Sequence, residues 1–455
     1  MKHLSYSYDI AVIGGGPAGV AAAVTAARAG KKVALFEQNS FLGGAMAIGL
    51  SPLGFLDQKG RQCIAGFGQE FISRLQERGD SLGHRVCPKH NSVTCVNAEG
   101  VKLLALEMCM EAGVDVLLHC QVLDAVVENG KLKKVILYGK CNRVEVSAQV
   151  FIDCTGDGDV AYLSDCCFEM GQAGTGVLQP PTVMFTLAGV ETERLFDYVE
   201  QNPEELRYNR PGIFEDPRYT PAYFREDANH VFVGLQKTFR ELKAKGELPV
   251  DRESFIYISS THPGMVYVNS VRILNADATD IRDLSRAEAE GALQIPKLIQ
   301  LLRKRIPGFE NCYLSSIAPS LGVRETRRFN GLRRVDRTDC LKANVPDDSI
   351  CLSGYKIDIH SGNDDGLYFE AVERPFGIPY GCLVSADVEN LMFAGRCISC
   401  DAVALGSLRV IPTCLAMGQA AGVGAALAVE QHCQPGMVDV NIVRNILLQQ
   451  NAILA

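Results

Sequence analysis

The sequence predicts an α/β fold: a discontinuous Rossmann-type nucleotide domain interrupted by an inserted α+β cap. Three observations predict it. Residues 8–37 read YDIAVIGGGPAGVAAAVTAARAGKKVALFE, a strand, a glycine turn, a small-residue helix and a second strand. That succession is the context a G-x-G-x-x-G needs. The same style returns near the end, where an apolar run at 391–394 passes through Gly395-Arg396 to a small-residue helix over 412–429. Between about 170 and 310 the chain becomes richer in Pro, Arg, Glu and aromatic residues.

Each glycine of the fingerprint has its own task. Gly14 allows the tight turn after Ile13, Gly16 lets backbone approach a pyrophosphate, and Gly19 lets the helix pack closely on the strand. The helix opening at Pro17-Ala18 presents free N–H groups to phosphate. Glu37, followed by Gln38, ends the second strand 18 residues past Gly19, where a carboxylate accepts hydrogen bonds from a ribose.

A glycine-rich loop follows, Phe41-Leu42-Gly43-Gly44, and then helices are expected over 67–78 and 101–112 and a strand over 114–119. Residues 121–147 read as an antiparallel meander turning at Glu128-Asn129-Gly130, because Asn-Gly is a strong hairpin signal. A strand at 150–154 ends in Thr155-Gly156-Asp157-Gly158-Asp159. In the insert, helices are expected over 191–201, 233–245 and 280–305, and strands over 182–187 and 265–273. Residues 310–380 read as irregular, with charged turns. The expected division is 1–168 and 381–455 for the nucleotide domain, 169–310 for the cap, and 311–380 for a segment bordering the site.

Bulk properties narrow the function. The chain has 455 residues, 47% hydrophobic and 22% charged, an ordinary globular balance. A net charge of −8 argues against nucleic acid. A first strand beginning by residue 9 leaves no room for a secretory signal. No uncharged run of 18 apolar residues is evident, so no membrane span is expected; the apolar stretch 397–429 is interrupted by Asp401, Arg409 and Pro412. Seventeen scattered cysteines read as reduced thiols of a cytoplasmic protein.

Further segments carry a family resemblance. Gly43-Gly44 after Glu37, Ile152-Asp153-Cys154-Thr155-Gly156-Asp157-Gly158-Asp159, and Leu391–Arg396 running on to Met417-Gly418-Gln419-Ala420-Ala421-Gly422 resemble the FAD segments of glutathione-reductase-type and fumarate-reductase-type flavoproteins. Gly322-Val323-Arg324-Glu325-Thr326-Arg327-Arg328, Ile357-Asp358-Ile359-His360 and Ser407-Leu408-Arg409-Val410 are similar to the FAD-dependent oxidoreductase family, including the flavin-binding core of heterodisulfide reductase. The resemblance implies a three-layer ββα FAD-binding Rossmann-type domain. It implies FAD contacts at Ala45, Thr155, Gly156, Asp159, Gly395, Arg396, Gly418 and Ala421 besides the fingerprint residues and Gly43-Gly44. Cys397 and Cys400, and the adjacent Cys166 and Cys167, lack the four-ligand spacing of an iron–sulfur site, so no metal is assigned. No second glycine fingerprint marks a nicotinamide domain.

For chemistry, His360 is the first candidate for proton transfer, since imidazole titrates near neutrality. On a strand, Asp358 would share its face. Arg324 and Arg328, four apart, would share a face if helical and could clamp a carboxylate or flavin negative charge; salt bridging to Glu325 is the alternative. His262, Asn269 and Arg272 could face the flavin from the cap. Cys63, near Arg61, could be a reactive thiol or a packing residue. The expected function is hydride exchange between flavin N5 and a small organic substrate, for which the arginines suggest an anion. The alternative is an electron-transfer component working with an iron–sulfur or other redox partner protein. The sequence leaves homo-oligomerisation open.

Overall fold

The computed structural model describes residues 2–207, 216–363 and 366–455. Its nucleotide domain is built on one sheet in the order Asp115–Leu117, Val33–Phe36, Lys2–Ile13, Asn142–Asp153, Lys131–Gly139, Gln121–Glu128. Leu391–Phe393 pairs in parallel with Phe151–Asp153, where the meander strand has ended. Val33–Phe36 is buried along its whole length, as a parallel strand covered on both faces should be.

The first strand starts at Lys2 rather than at residue 9, because Lys2–Tyr8 pairs with Asn142–Ala148. The last meander strand and the expected strand at 150–154 are one twelve-residue strand, Asn142–Asp153. The hairpin turn has positive φ at both Asn129 (52°) and Gly130 (73°), the conformation that matches strand twist.

Helix Pro17–Arg28 packs directly on helix Ile411–Glu430. A Cβ on Gly418 would lie 2.1 Å from the Ala18 carbonyl oxygen, and one on Gly422 2.5 Å from that of Ala22. The small residues of the C-terminal helix therefore serve helix-to-helix approach. Gly418 and the fully buried Ala421 are corrected from cofactor contacts to packing positions. By length and composition Ile411–Glu430 could cross a membrane, yet its window is entirely buried inside the protein.

The insert forms a five-stranded antiparallel sheet in the order Val231–Gly234, Phe255–Ser259, Val266–Val268, Phe185–Ala188, Tyr313–Ile317. Its edge strand passes the expected boundary at 310. Phe168–Met170 pairs with Arg327–Phe329, so a ladder also straddles residue 168. The helix expected over 233–245 begins at Gln236, because Leu235 adopts φ 60° and separates it from a strand. The segment 311–380 holds short ladders, Ser349–Ser353 with Phe376–Pro379 and Ile357–His360 with Leu367–Glu370. Such short strands, set among charged turns, leave little periodicity to read.

Two outcomes follow from this packing. Gly418→Ala gains about 1 kcal/mol of helix propensity but forces a methyl onto backbone, a clash that costs about 1–3 kcal/mol. Net loss of stability is expected in urea titration of the apoprotein; a gain would contradict the packing. Separately, burial pushes His84 and His230 down to about 4, so the native state keeps them neutral. The unfolded chain takes up these protons below about pH 6.5. Their stabilising contribution is complete above pH 6.5 and is lost as pH falls towards 4. The melting temperature should drop across that window, and a flat profile would contradict the burial of both rings.

Candidate active site

A cavity of about 440 Å³ lies between the nucleotide domain and the cap. At one end is the fingerprint turn. Gly14 has φ 103°, and a Cβ there would sit 2.3 Å from the Cys154 carbonyl oxygen. A Cβ on Gly19 would sit 1.8 Å from the Gly14 oxygen. These two glycines hold the turn between strand and helix. Gly16 differs: its backbone is ordinary (φ −71°, ψ −175°) and a Cβ would meet nothing within 4 Å. It borders open cavity. Helix Pro17–Arg28 has no side-chain cap and no acid in its first turn, leaving its N–H groups to an anion.

The Gly43-Gly44 loop closes over this turn. Gly43 N–H donates to the Gly15 carbonyl at 2.8 Å, and a Cβ on Gly44 would approach the Gly16 Cα at 2.9 Å. Gly44 and Ala45 line the cavity, whereas Gly43 supports them from behind. Glu37 is buried, with Oε2 accepting from Gly15 N–H (2.6 Å) and Oε1 from Asn39 N–H (2.8 Å) and Nδ2 (2.7 Å). Its carboxylate is thus fixed at the wall beside Gln38.

Buried Asp153 shapes the next loop. It accepts from Thr155 N–H (3.0 Å), Thr155 Oγ1 (2.7 Å) and Ala161 N–H (2.9 Å). Thr155, Gly156, Asp157 and Asp159 reach the cavity. Burial, with Asp157 and Asp153 nearby, pushes the Asp159 carboxyl up to about 6. Gly395 (φ 99°) and Arg396 form the opposite lip. Arg396 donates to Thr326 Oγ1 and pairs with Asp157, both at 2.9 Å. Val410, Ile411 and Cys414, at the start of the C-terminal helix, complete this end.

The other end is basic. Arg252, Arg324, Arg409, Asp358 and His360 all line it. Arg409 donates to the Arg324 carbonyl (3.1 Å) and the Asp358 carbonyl (2.9 Å). Arg324 donates to the Pro180 carbonyl (2.5 Å) and reaches Asn269 Oδ1 at 3.4 Å. Arg252 Nη1 is 3.5 Å from His360 Nδ1, and Asp358 Oδ1 is 3.4 Å from His360 Nε2. Burial together with Arg324, Arg252, Arg409 and Arg272 holds His360 well below its usual range. Its imidazole is therefore neutral at neutral pH. Burial and the same neighbours push the Arg324 guanidinium down as well. Lys356 also lines the cavity, over the Phe369 ring at 3.7 Å, and burial lowers it to about 8.

The residues present fit a dinucleotide. Gly16 leaves a cradle, two helix N-termini lack side-chain caps, and a fixed acid ends the second strand. The sequence profile of the FAD dependent oxidoreductase family matches residues 9–447. The chain belongs to that family. FAD is its cofactor and it is an oxidoreductase. A segment of 38 residues is 60% identical to thiamine thiazole synthase of Desulfosudis oleivorans, spanning 8% of this chain and 15% of that protein. Among solved structures it is similar to a geranylgeranyl bacteriochlorophyll reductase-like protein from Thermoplasma acidophilum, with 13% identity, 99% of this chain and 85% of that one covered, and a TM-score of 0.48. It is also similar to p-nitrophenol 4-monooxygenase from Pseudomonas putida, with 10% identity, coverage of 99% and 86%, and a TM-score of 0.43.

Several expectations about this family member change. Residues 324–326 form no regular element and Arg327–Phe329 is a strand, so Arg324 and Arg328 do not share a helical face. Arg328 pairs with buried Glu325 (2.5 Å) and donates to the Gly171 carbonyl (2.9 Å). It does not line the cavity and leaves the catalytic set. Asn269 lines the cavity; His262 does not, and Arg272 stands behind it, donating to the carbonyls of Ser361 and Gly366. The Cys63 thiol bonds to backbone carbonyls and burial raises it to about 12, the state of a packing residue. Cys397 is fully buried, with Sγ towards the Asp153 carbonyl. Arg252 and Lys356 are invisible to motif reading, because neither sits in a motif.

Gly16→Val tests the cradle. The apoprotein should keep its stability within about 1 kcal/mol, the difference between glycine and valine at an N-cap. FAD affinity should fall by about 100-fold, or about 2.7 kcal/mol, read by flavin fluorescence on reconstitution. Normal affinity would show that the cofactor does not approach Gly16.

Proposed function

We propose that the enzyme exchanges a hydride between flavin N5 and a small anionic organic molecule, held by Arg252, Arg324 and Arg409 with His360 handling the proton. The observation that carries this reading is the gathering of three guanidiniums and one imidazole on the cavity wall, beside the Asp358 carboxylate. Arginine does not release its proton at ordinary pH. Buried cationic neighbours repel one another, and an anion drawn into the cavity relieves that repulsion. Guanidinium forks also suit a carboxylate's geometry.

Bound FAD supplies the hydride acceptor or donor. Gly16, the helix opening at Pro17-Ala18, Glu37, Thr155, Gly156, Asp159, Gly395 and Arg396 would hold it. The arginines orient the substrate. Neutral His360 can accept a proton from a substrate O–H or N–H as hydride departs, and can return it in the reverse direction. Its peptide N–H donates to Gln179 Oε1 at 3.0 Å, which fixes the strand end that carries it.

Anaerobic flavin bleaching with a panel of organic acids and their amides tests the proposal. Acids should bleach the flavin and the matching amides should not. Arg324→Ala should weaken acid binding by at least about 30-fold, the lower range for unpairing a buried charge. His360→Gln should lower the rate of flavin reduction by about 10²–10⁴-fold with binding nearly intact. Full turnover in that variant removes His360 from the mechanism.

A further inference from the structure

The anion site has a neighbour of opposite character. Val231–Gly234 and Phe255–Ser259 pair antiparallel, with Val231 opposite Ile258 and Val233 opposite Ile256. These four side chains lie on one face of the strand pair, by the two-residue alternation of a strand, and all four line the cavity. The other face carries the cap's aromatic core, where Phe232 and Tyr257 stack at 5.1 Å. The cap sheet therefore turns a two-by-two aliphatic panel towards the cavity. Leu50 and Leu53, from the loop after Gly43-Gly44, line the cavity as well.

The panel is joined to the arginine cluster through one residue. Asn269 N–H donates to the Ile256 carbonyl at 3.0 Å. The same Asn269 accepts from Arg252 at its carbonyl and from Arg324 at Oδ1. The charged end thus lies beside the Val233–Ile256 pair, and the Val231–Ile258 pair continues away from it. Two residues of strand span about 7 Å, room for a chain of about five carbons.

We propose that the substrate is amphipathic, with an anionic head on the arginine cluster and an apolar chain or ring along this panel. The inference rests on the anion-site reading above and narrows its substrate class. A compact dicarboxylate is disfavoured, because its second charge would be desolvated against aliphatic side chains. Glu288, another cavity-lining residue, adds a further acid that discourages a second anionic group.

Calorimetric titration of the FAD-loaded protein with acetate, butanoate, hexanoate, octanoate and hexanamide tests it. Affinity should rise about fourfold per added methylene, the gain from burying one CH₂, and level off beyond about hexanoate. Val233→Thr keeps the side-chain shape and adds a hydroxyl. It should reduce the chain-length gain, weakening hexanoate binding more than acetate binding. Equal affinity for every acid, lost in Arg324→Ala, would overturn the amphipathic substrate while leaving the anion site standing; a panel covered by the flavin itself gives this same flat series. Hexanamide binding as tightly as hexanoate would overturn the anion site instead.

Discussion

Everything in the nucleotide domain depends on how closely three other segments approach one turn. The fingerprint touches the end of the long strand at Cys154, the second glycine loop at Gly44, and the C-terminal helix at Gly418. A Cβ at Gly14, Gly44 or Gly418 would lie 2.3, 2.9 or 2.1 Å from the backbone of the facing segment, which would have to give way. Because these segments come from residues 14–19, 43–44, 154 and 418, the turn also closes the discontinuous domain. The cavity rim is the surface left once they meet. Backbone packing in this domain therefore determines where a pyrophosphate can lie, and only Gly16, among the fingerprint glycines, has its missing Cβ facing the open space.

That distinction explains how much was legible in the sequence. Strand, turn, helix and terminal acid can be read in residues 8–37, since local periodicity and glycine spacing encode them. The loop at 155–159 and the lip at 395–396 are legible through family likeness. Sequence does not distinguish a glycine that faces a ligand from one that faces a helix. Gly418 follows the same small-residue pattern either way, and its role appears only when Ala18 is seen beneath it. Boundaries in the cap were hidden for a related reason. Tyr313–Ile317 is exposed along its length and owes its strand conformation to pairing with Phe185–Ala188, a partner more than a hundred residues away.

The basic end of the cavity is non-local too. Arg252 precedes a cap strand, Arg324 follows the cap, and Arg409 belongs to the returning nucleotide domain. No spacing rule relates them. Arg324 and Arg328 show the converse: close in sequence and alike in chemistry, they separate, Arg324 in an irregular segment lining the cavity and Arg328 in a short strand paired with Phe168–Met170, where it meets Glu325 and the Gly171 carbonyl. His360 was legible as a residue type on a strand with Asp358. Its electrostatic state was not, since that state comes from burial and from four arginines on other segments.

That state gives the proposed site a thermodynamic logic. Burial, with the neighbouring guanidiniums, disfavours a proton on His360, so the imidazole rests neutral. An anionic substrate cancels part of that field, and the proton affinity of His360 rises on binding. Binding and proton uptake are then linked, with each favouring the other by the same free energy. A reaction that releases a proton as hydride leaves gains from this order of events, because the base becomes stronger only when substrate is in place. In the proposed site the apolar panel would exclude water from the same space, and lower local polarity would strengthen the coupling between head group and imidazole. In that proposal, charge cluster, imidazole and aliphatic wall would act on one another, although they come from separate segments of the chain.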